Sequence, residues 1–371
     1  MAEFKVTPWD VEGTVDYDKL IAQFGIKRLD DSLIGKLGKH TKDVHYLIRR
    51  RAFYAHMYLE NVLADVDRGK KIYLYTGRAP SGPVHLGHII PWMLTKWLQE
   101  RLGAPLLFQI PDEEKFLFKD ITMEETGKWA KDNILDIIAL GFDEKKTKIF
   151  LDTEYAGHMY KHACMAAKRI TLSTAKSVFG FDNSSNVGQL FYTCMQSVPA
   201  FLPSIIEGEP TQCLIPCAVD QDVHFRVTRD IAPHLGYPKP STLLCKFFPP
   251  LQGIGGKMSA SREDTAVYLT DTQKDVEKKI RKYAFSGGKD SVEEHRRLGG
   301  NPDIDVSFVW LTFFEEDDKK LEKIRDEYKS GKMLSGELKQ ILIDKLNVFL
   351  ADHQKKREKA KDRVEKFMMR D

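Results

Sequence analysis

Residues 71–110, KIYLYTGRAPSGPVHLGHIIPWMLTKWLQERLGAPLLFQI, decide the fold. KIYLYT at 71–76 is an unbroken apolar and aromatic run of strand length, closed by Gly77. Such a run marks a parallel strand buried on both faces. Beyond it, Ile90, Leu94, Leu98 and Leu102 repeat at i, i+4, which predicts a helix over 89–102 with Pro91 in its first turn. Gly103 ends that helix, and PLLFQI at 105–110 is a second strand. Strand, helix and strand make one βαβ unit with a right-handed crossover. A helical pattern at 122–141 and the strand KIFLD at 148–152 continue the alternation. The chain therefore reads as α/β, with a Rossmann-like parallel sheet catalytic domain over 71–265 and an α-helical C-terminal domain over 266–371.

Composition sets outer limits. With 371 residues, 42% hydrophobic and 30% charged, the chain can bury one large α/β core and a smaller second domain. No apolar run approaches the ~18 residues of a membrane helix, and no leader pattern opens the chain, so a soluble cytoplasmic protein without a membrane partner is expected. A net charge of +3 means that any polyanion must be held by local basic patches. The five cysteines, Cys164, Cys194, Cys213, Cys217 and Cys245, include one close pair in CLIPC. No second Cys or His pair of zinc-finger spacing accompanies it, so buried thiols are predicted and no metal site.

The flanks are less distinctive. Residues 1–70 form an N-terminal extension in which KVTPWDVEG at 5–13 reads as a short hairpin, followed by helices. Arg49, Arg50 and Arg51 there read either as a solvated face or as a phosphate clamp. After Thr270, Val276, Ile280 and Tyr283 mark one amphipathic helix, and Leu338, Ile341, Leu342, Leu346 and Phe349 another. The final QKKREKAKDRVEKFMMRD holds eight basic and four acidic residues, either a solvated helix face or an RNA-facing one. The last helices belong to this domain or return to the sheet.

Ligands of an open parallel sheet bind beyond the carboxyl ends of its strands, where Tyr75 to His88 lies. Gly77, Gly82 and Gly87 allow close approach of backbone to a ligand, and the following helix start offers N–H groups and a positive dipole end to phosphate. His85 and His88, three positions apart, point the same way on one turn. Lys257 follows Gly253, Gly255 and Gly256 and precedes Met258, Ser259, Ala260 and Ser261. A lysine on so pliant a loop can close onto developing phosphate charge. Arg78 reads as a further phosphate or adenine-side contact, or as a surface ion pair.

HLGH at 85–88 and KMSAS at 257–261 resemble the two signature motifs of class I aminoacyl-tRNA synthetases. YTGRAPSG, FQIPDEEKFLFKD at 108–120, LIPCAVDQD at 214–222 and AFSGGKDSVEEHRRLGG at 284–300 are similar to the tryptophanyl-tRNA synthetases of archaeal and eukaryotic cytosolic type. That resemblance, which covers nearly the whole chain, implies a two-step reaction. Tryptophan attacks the α-phosphate of ATP with Mg2+ present, and the adenylate is then passed to the terminal ribose of tRNA(Trp). It implies catalytic roles for His85, His88, Lys257 and Ser259, and ATP contacts that add Gly77, Arg78, Gly87, Met258 and Ser261. Tyr75 and Gln109 match the positions at the indole nitrogen, Glu114 and Gln196 those near the substrate ammonium, and Gln221 one bridging amino acid and ATP. It further implies a homodimer, and an anticodon-binding role for the C-terminal helices.

Pro111 departs from the pattern, which has a threonine hydroxyl there, and this predicts altered ATP handling. Three rivals remain. A tyrosyl-tRNA synthetase would place an acid at the pocket floor where this chain has Gln109 and Gln196. A small adenylyltransferase would not need the long helical C-terminal domain. A silent RNA-binding derivative would lose His85, His88 or Lys257.

Overall fold

The computed structural model describes residues 5–6, 11–13, 15–258 and 265–370. β1 (Lys5–Val6) and β2 (Val11–Glu12) pair antiparallel with Val6 opposite Val11, the hairpin read in KVTPWDVEG. The main sheet contains β3 (Lys27–Arg28), β4 (Phe53–Met57), β5 (Ile72–Gly77), β6 (Leu106–Ile110), β7 (Thr147–Leu151), β8 (Gln212–Ala218) and β9 (Ser241–Cys245). Its order is β3-β4-β9-β8-β5-β6-β7. The five strands from β9 to β7 are parallel, while β4 and β3 run antiparallel at one edge. Residues assigned from sequence to an N-terminal extension therefore widen the sheet.

β6 and β7 build outward on one side of β5, and β8 and β9 on the other. The connections reverse between β5 and β8, so a crevice opens at their carboxyl ends. Ile72 to Thr76 are all buried, as a strand covered on both faces requires. The crossing helix runs Leu86–Leu102, burying Leu86, Ile90, Leu94 and Leu98, and ends at Gly103 with φ 65°. It starts three residues before the predicted position. Pro91 thus sits in the second turn, where it has no N–H to offer the Gly87 carbonyl. The helix start is held from outside: Leu86 N donates to Val267 O at 3.0 Å and Leu269 N to Val84 O at 2.9 Å.

Helices Gln273–Tyr283, Val306–Phe314, Asp318–Lys329 and Ser335–Ala360 make the C-terminal helical region. Their buried Val276, Ile280, Leu338, Leu342 and Leu346 share one continuous apolar core with Ile134, Ile137, Leu106 and Phe108 of the sheet side. Asp136 Oδ1 accepts from His353 Nε2 and Arg357 Nε, each at 2.9 Å, across that junction. Arg363 reaches Glu144 at 3.0 Å and Met369 N donates to Ile149 O at 2.7 Å. The chain end therefore returns to β7, and Arg357 and Arg363 of the basic run pair with the protein's own acids, Arg357 largely buried and Arg363 still 42% exposed.

The arginine cluster keeps the solvated face of the two readings, with Arg49 and Arg51 side chains 41% and 39% exposed, but its guanidinium groups are committed to protein partners and not to a phosphate. Arg49 and Arg50 pair with Asp318 at 2.7 and 2.6 Å, and Arg50 also donates to Thr312 O at 2.9 Å. Arg51 donates to Leu29 O at 2.6 Å. The Arg50 cation at the end of helix Val306–Phe314 satisfies its last carbonyls, and Arg49 and Arg50 together fasten this segment to the C-terminal helices. Cys194, Cys213, Cys217 and Cys245 are buried free thiols and Cys164 is exposed; burial pushes Cys213 and Cys217 far above the usual thiol range. Among the described residues no three His, Cys, Asp or Glu side chains group as metal ligands, and no helix is long and apolar enough to cross a membrane.

Candidate active site

A cavity of about 360 Å³ occupies the crevice between β5 and β8. Tyr75, Gly77, Arg78, His85, Gly87, His88, Gln109, Glu114, Gln196, Gln221, Lys257 and Met258 all line it. Every residue to which the resemblance gave a catalytic, ATP or tryptophan contact thus lines it, except Ser259 and Ser261, which lie outside the described residues. Pro111 lines it too. It follows the last residue of β6, so its missing N–H removes no ladder bond.

At one end sit the histidines. Their rings stack with centroids 3.4 Å apart. A Cβ on Gly87 would come within 3.1 Å of His85 Cε1, and one on Gly77 within 2.9 Å of Gln109 O. These two glycines make room for protein neighbours as well as for any ligand. Burial first, and the Arg78 cation second, hold both imidazoles well below the ordinary histidine range, so each is neutral at pH 7. Arg78 is itself buried and meets only neutral acceptors. Nε donates to Asn133 Oδ1 at 2.6 Å, Nη2 to Gly82 O at 3.0 Å, and Nη1 faces His88 Nε2 at 2.6 Å. Burial lowers its pKa to about 10, which leaves it a cation.

This end is incompletely satisfied. The His85 N–H points at His88 Nδ1 at 3.1 Å while Arg78 points at Nε2, yet a neutral imidazole carries one N–H and can accept at only one nitrogen. Among the described residues His85 Nδ1 is buried without a partner. Lys257 Nζ rests on Asp220 Oδ2 at 2.7 Å, and Asp220 Oδ1 is likewise buried without a partner among the described residues. A buried guanidinium without a carboxylate, a lysine held by one carboxylate oxygen and two neutral imidazoles form a pocket for an anion.

The opposite end is closed into a network. The Tyr75 hydroxyl donates to Gln109 Oε1, and Gln109 Nε2 donates to Asp152 Oδ2 at 2.6 Å and Gln196 Oε1 at 3.0 Å. Gln196 Nε2 lies 3.3 Å from the Tyr75 hydroxyl, and the Tyr192 hydroxyl is 2.8 Å from Glu114 Oε2. The Phe225 ring meets that of Tyr75 edge-on, centroids 6.0 Å apart. Burial pushes the Glu114 carboxyl up, but the Lys115 ammonium and hydrogen bonds from Lys115 and Tyr192 outweigh it and the net shift is downward. Glu114 is therefore a carboxylate at neutral pH.

Sequence reasoning missed Asn133, Asp152, Tyr192 and Asp220. Asp152 had a readable signal. β6 pairs parallel with β7, Ile110 opposite Leu151, so the acids that follow each strand end up side by side. Asn133 and Tyr192 sit on helices whose docking no local pattern announces.

The family described as tRNA synthetases class I (W and Y) matches residues 67–351. A tryptophan–tRNA ligase of Saccharolobus solfataricus is 51% identical over 367 residues, 98% of this chain and 95% of that protein. The solved tryptophanyl-tRNA synthetase of Plasmodium falciparum superposes with a TM-score of 0.91 at 38% identity, covering 96% of this chain and 98% of the other. That of Giardia lamblia gives 0.90 at 38% identity, covering 95% and 96%. With its parallel sheet, its paired histidines and its lysine loop converging on one cavity, the chain belongs to the class I tRNA synthetases of the tryptophan and tyrosine type.

Proposed function

We propose that the protein is a tryptophan–tRNA ligase that activates L-tryptophan with ATP and transfers it to tRNA(Trp) for protein synthesis. The observation that carries this reading is the single cavity in which an anion pocket and an amide-floored aromatic slot face each other. Indole offers one N–H donor on a large apolar face, so its selection requires an acceptor deep in an aromatic slot. Tyr75 and Gln109 supply that acceptor, and the Glu114 carboxylate and Gln196 hold the substrate ammonium. A phenol would instead call for a carboxylate at the floor, and Asp152 stands behind Gln109, outside the lining.

ATP enters at the histidine end, where Gln221 spans toward the amino acid. The adenylation step needs positioning and charge stabilisation more than covalent help from protein. The neutral His85 and His88 donate to phosphate oxygens. Arg78 leaves the crowded His88 ring for an anion, and Lys257 exchanges the Asp220 carboxylate for the departing pyrophosphate. Mg2+ is carried on the ATP phosphates as part of the substrate. Gly77, Gly87, Met258, Ser259 and Ser261 complete the ATP contacts in this reading.

The C-terminal helices read the tRNA anticodon, and the protein works as a cytoplasmic homodimer. Support for the dimer is the exposed apolar stripe on two neighbouring helices, where Tyr160 is 60% and Val187 80% exposed and Tyr160 packs 6.3 Å from Phe191. Pyrophosphate exchange into ATP, run with each of the twenty amino acids, tests the function. Exchange with tryptophan alone is expected; exchange with tyrosine in its place would overturn the reading.

A further inference from the structure

Two acids behind the floor of the cavity have no part in the chemistry described above. Asp152, first residue of helix Asp152–Ala167, is 1% exposed, and neither it nor Glu113 lines the cavity. Asp152 Oδ2 accepts from Gln109 Nε2 at 2.6 Å. Its other oxygen, Oδ1, and Glu113 Oε2 are both buried with no donor among the described residues, and the two carboxyls lie close enough for each to shift the titration of the other. A bond between two carboxyls requires one proton between them. Asp112 does not compete for it, since its carboxylate is occupied by Thr153, whose N–H lies 3.1 Å from Oδ1 and whose hydroxyl meets Oδ2.

We propose that Asp152 and Glu113 act as a positioning pair: one shared proton makes Asp152 a fixed acceptor that locks the Gln109 amide with its oxygen toward Tyr75 and the indole N–H. The two ends of a glutamine amide have nearly the same shape, so packing alone does not choose between them. Flipped, Gln109 would turn NH2 against the indole N–H, donor against donor, and its oxygen against Asp152. The carboxylate oxygen at 2.6 Å forbids this. Burial first, with the Asp112 and Glu114 charges adding to it, raises Glu113 to about 7, and burial followed by the Glu113 charge raises Asp152 well above the carboxylate range, in keeping with a retained proton. Selection of an N–H donor is then built one layer behind the residues that touch the substrate, where an unpaired buried polar group is costly.

The inference rests on the reading that Gln109 meets the indole N–H, and the test separates the two. Pyrophosphate exchange is measured with tryptophan and with β-(3-benzothienyl)alanine, in which sulfur replaces the N–H. Wild type should prefer tryptophan. Asp152→Ala should raise the tryptophan KM about tenfold or more while the analogue KM and both kcat values move less than about twofold. Asp152→Asn, which still offers an oxygen to Gln109 and donates to Glu113, should keep the preference. Infrared spectra of wild type at neutral pH should show one protonated buried carboxyl, lost in Asp152→Asn and in Glu113→Gln; this readout stands even if Asp152→Ala does not fold. A folded Asp152→Ala that retains the preference, or a wild type without that carboxyl band, overturns the positioning pair. A wild type indifferent to the N–H overturns the Gln109 reading itself.

Discussion

The two ends of the cavity are built on opposite plans. Around Tyr75, Gln109 and Gln196 the polar groups facing the cavity have found each other before any ligand arrives. Around His85, Arg78 and Lys257 the contacts are provisional: two donors compete for one imidazole, and His85 Nδ1 and Asp220 Oδ1 have no partner among the described residues. Selecting an amino acid requires geometry fixed in advance, because discrimination comes from polar groups that only the right substrate satisfies. Stabilising charge that appears only in the transition state is served by groups free to change partners. The incomplete end stores capacity for an anion; the complete end stores specificity.

The largest effect should come from removing the group that moves furthest. Lys257→Ala is expected to lower the rate of tryptophan-dependent pyrophosphate exchange by about 10²–10³ with tryptophan affinity unchanged by equilibrium titration. A raised tryptophan Kd would mean that the two ends are not separable.

Next in size is the cost of keeping histidines neutral. Burial lowers His224 and His45 to about 4, and His85 and His88 fall well below the usual value. Because these folded pKa values lie below that of the unfolded chain, near 6.5, the unfolded state gains protons first on acidification. Stability should therefore be full above pH ~6.5 and fall as pH drops toward ~4, by on the order of 1–3 kcal/mol per group. Denaturant midpoints across that range check it.

Tyr75→Phe strips one hydroxyl from the closed network and leaves Gln109 Oε1 without its donor. A loss of ~1–2 kcal/mol, or about a 5–30-fold rise in the tryptophan KM with the ATP KM unmoved, is expected in steady-state kinetics. Asp220→Asn weakens the resting contact of Lys257, so a reduction of about 2–3-fold in the ATP KM should follow, small because the pair is partly solvated. Smallest is Pro111→Thr, which restores a hydroxyl at the cavity wall without changing a ladder bond. It should shift the ATP KM by no more than about threefold, and unchanged ATP affinity and adenylation rate would remove any role for this departure.

The half of this contrast that sits on one strand-to-helix turn was legible in the chain. A continuous apolar strand, a glycine and two histidines at a helix start are local patterns, and they bring Gly77, His85 and His88 to one cavity, whereas Tyr75 was singled out by the resemblance. What depended on distant partners was not. The partners of Arg49 and Arg50 were hidden because nothing near them names Asp318 or the Thr312 carbonyl. Pro91 fell one turn late because Val267 and Leu269, far along the chain, hold the helix start at Leu86. The C-terminal helices looked like a separate body, yet their apolar stripes complete the same core as Ile134 and Phe108. Among site residues, Lys257 was found by its glycines, but its resting partner Asp220 carries no mark in sequence beyond its place before Gln221.

Amide hydrogen exchange on the ligand-free protein, with tryptophan alone and with a non-hydrolysable ATP analogue alone, tests the contrast most directly. A prebuilt pocket and a recruited clamp predict strong protection at 106–110 and 192–196 without ligand, little changed by tryptophan, and slowed exchange at 253–258 only with nucleotide. Protection of 253–258 by tryptophan alone, or an unprotected 106–110 that tryptophan orders, would contradict it.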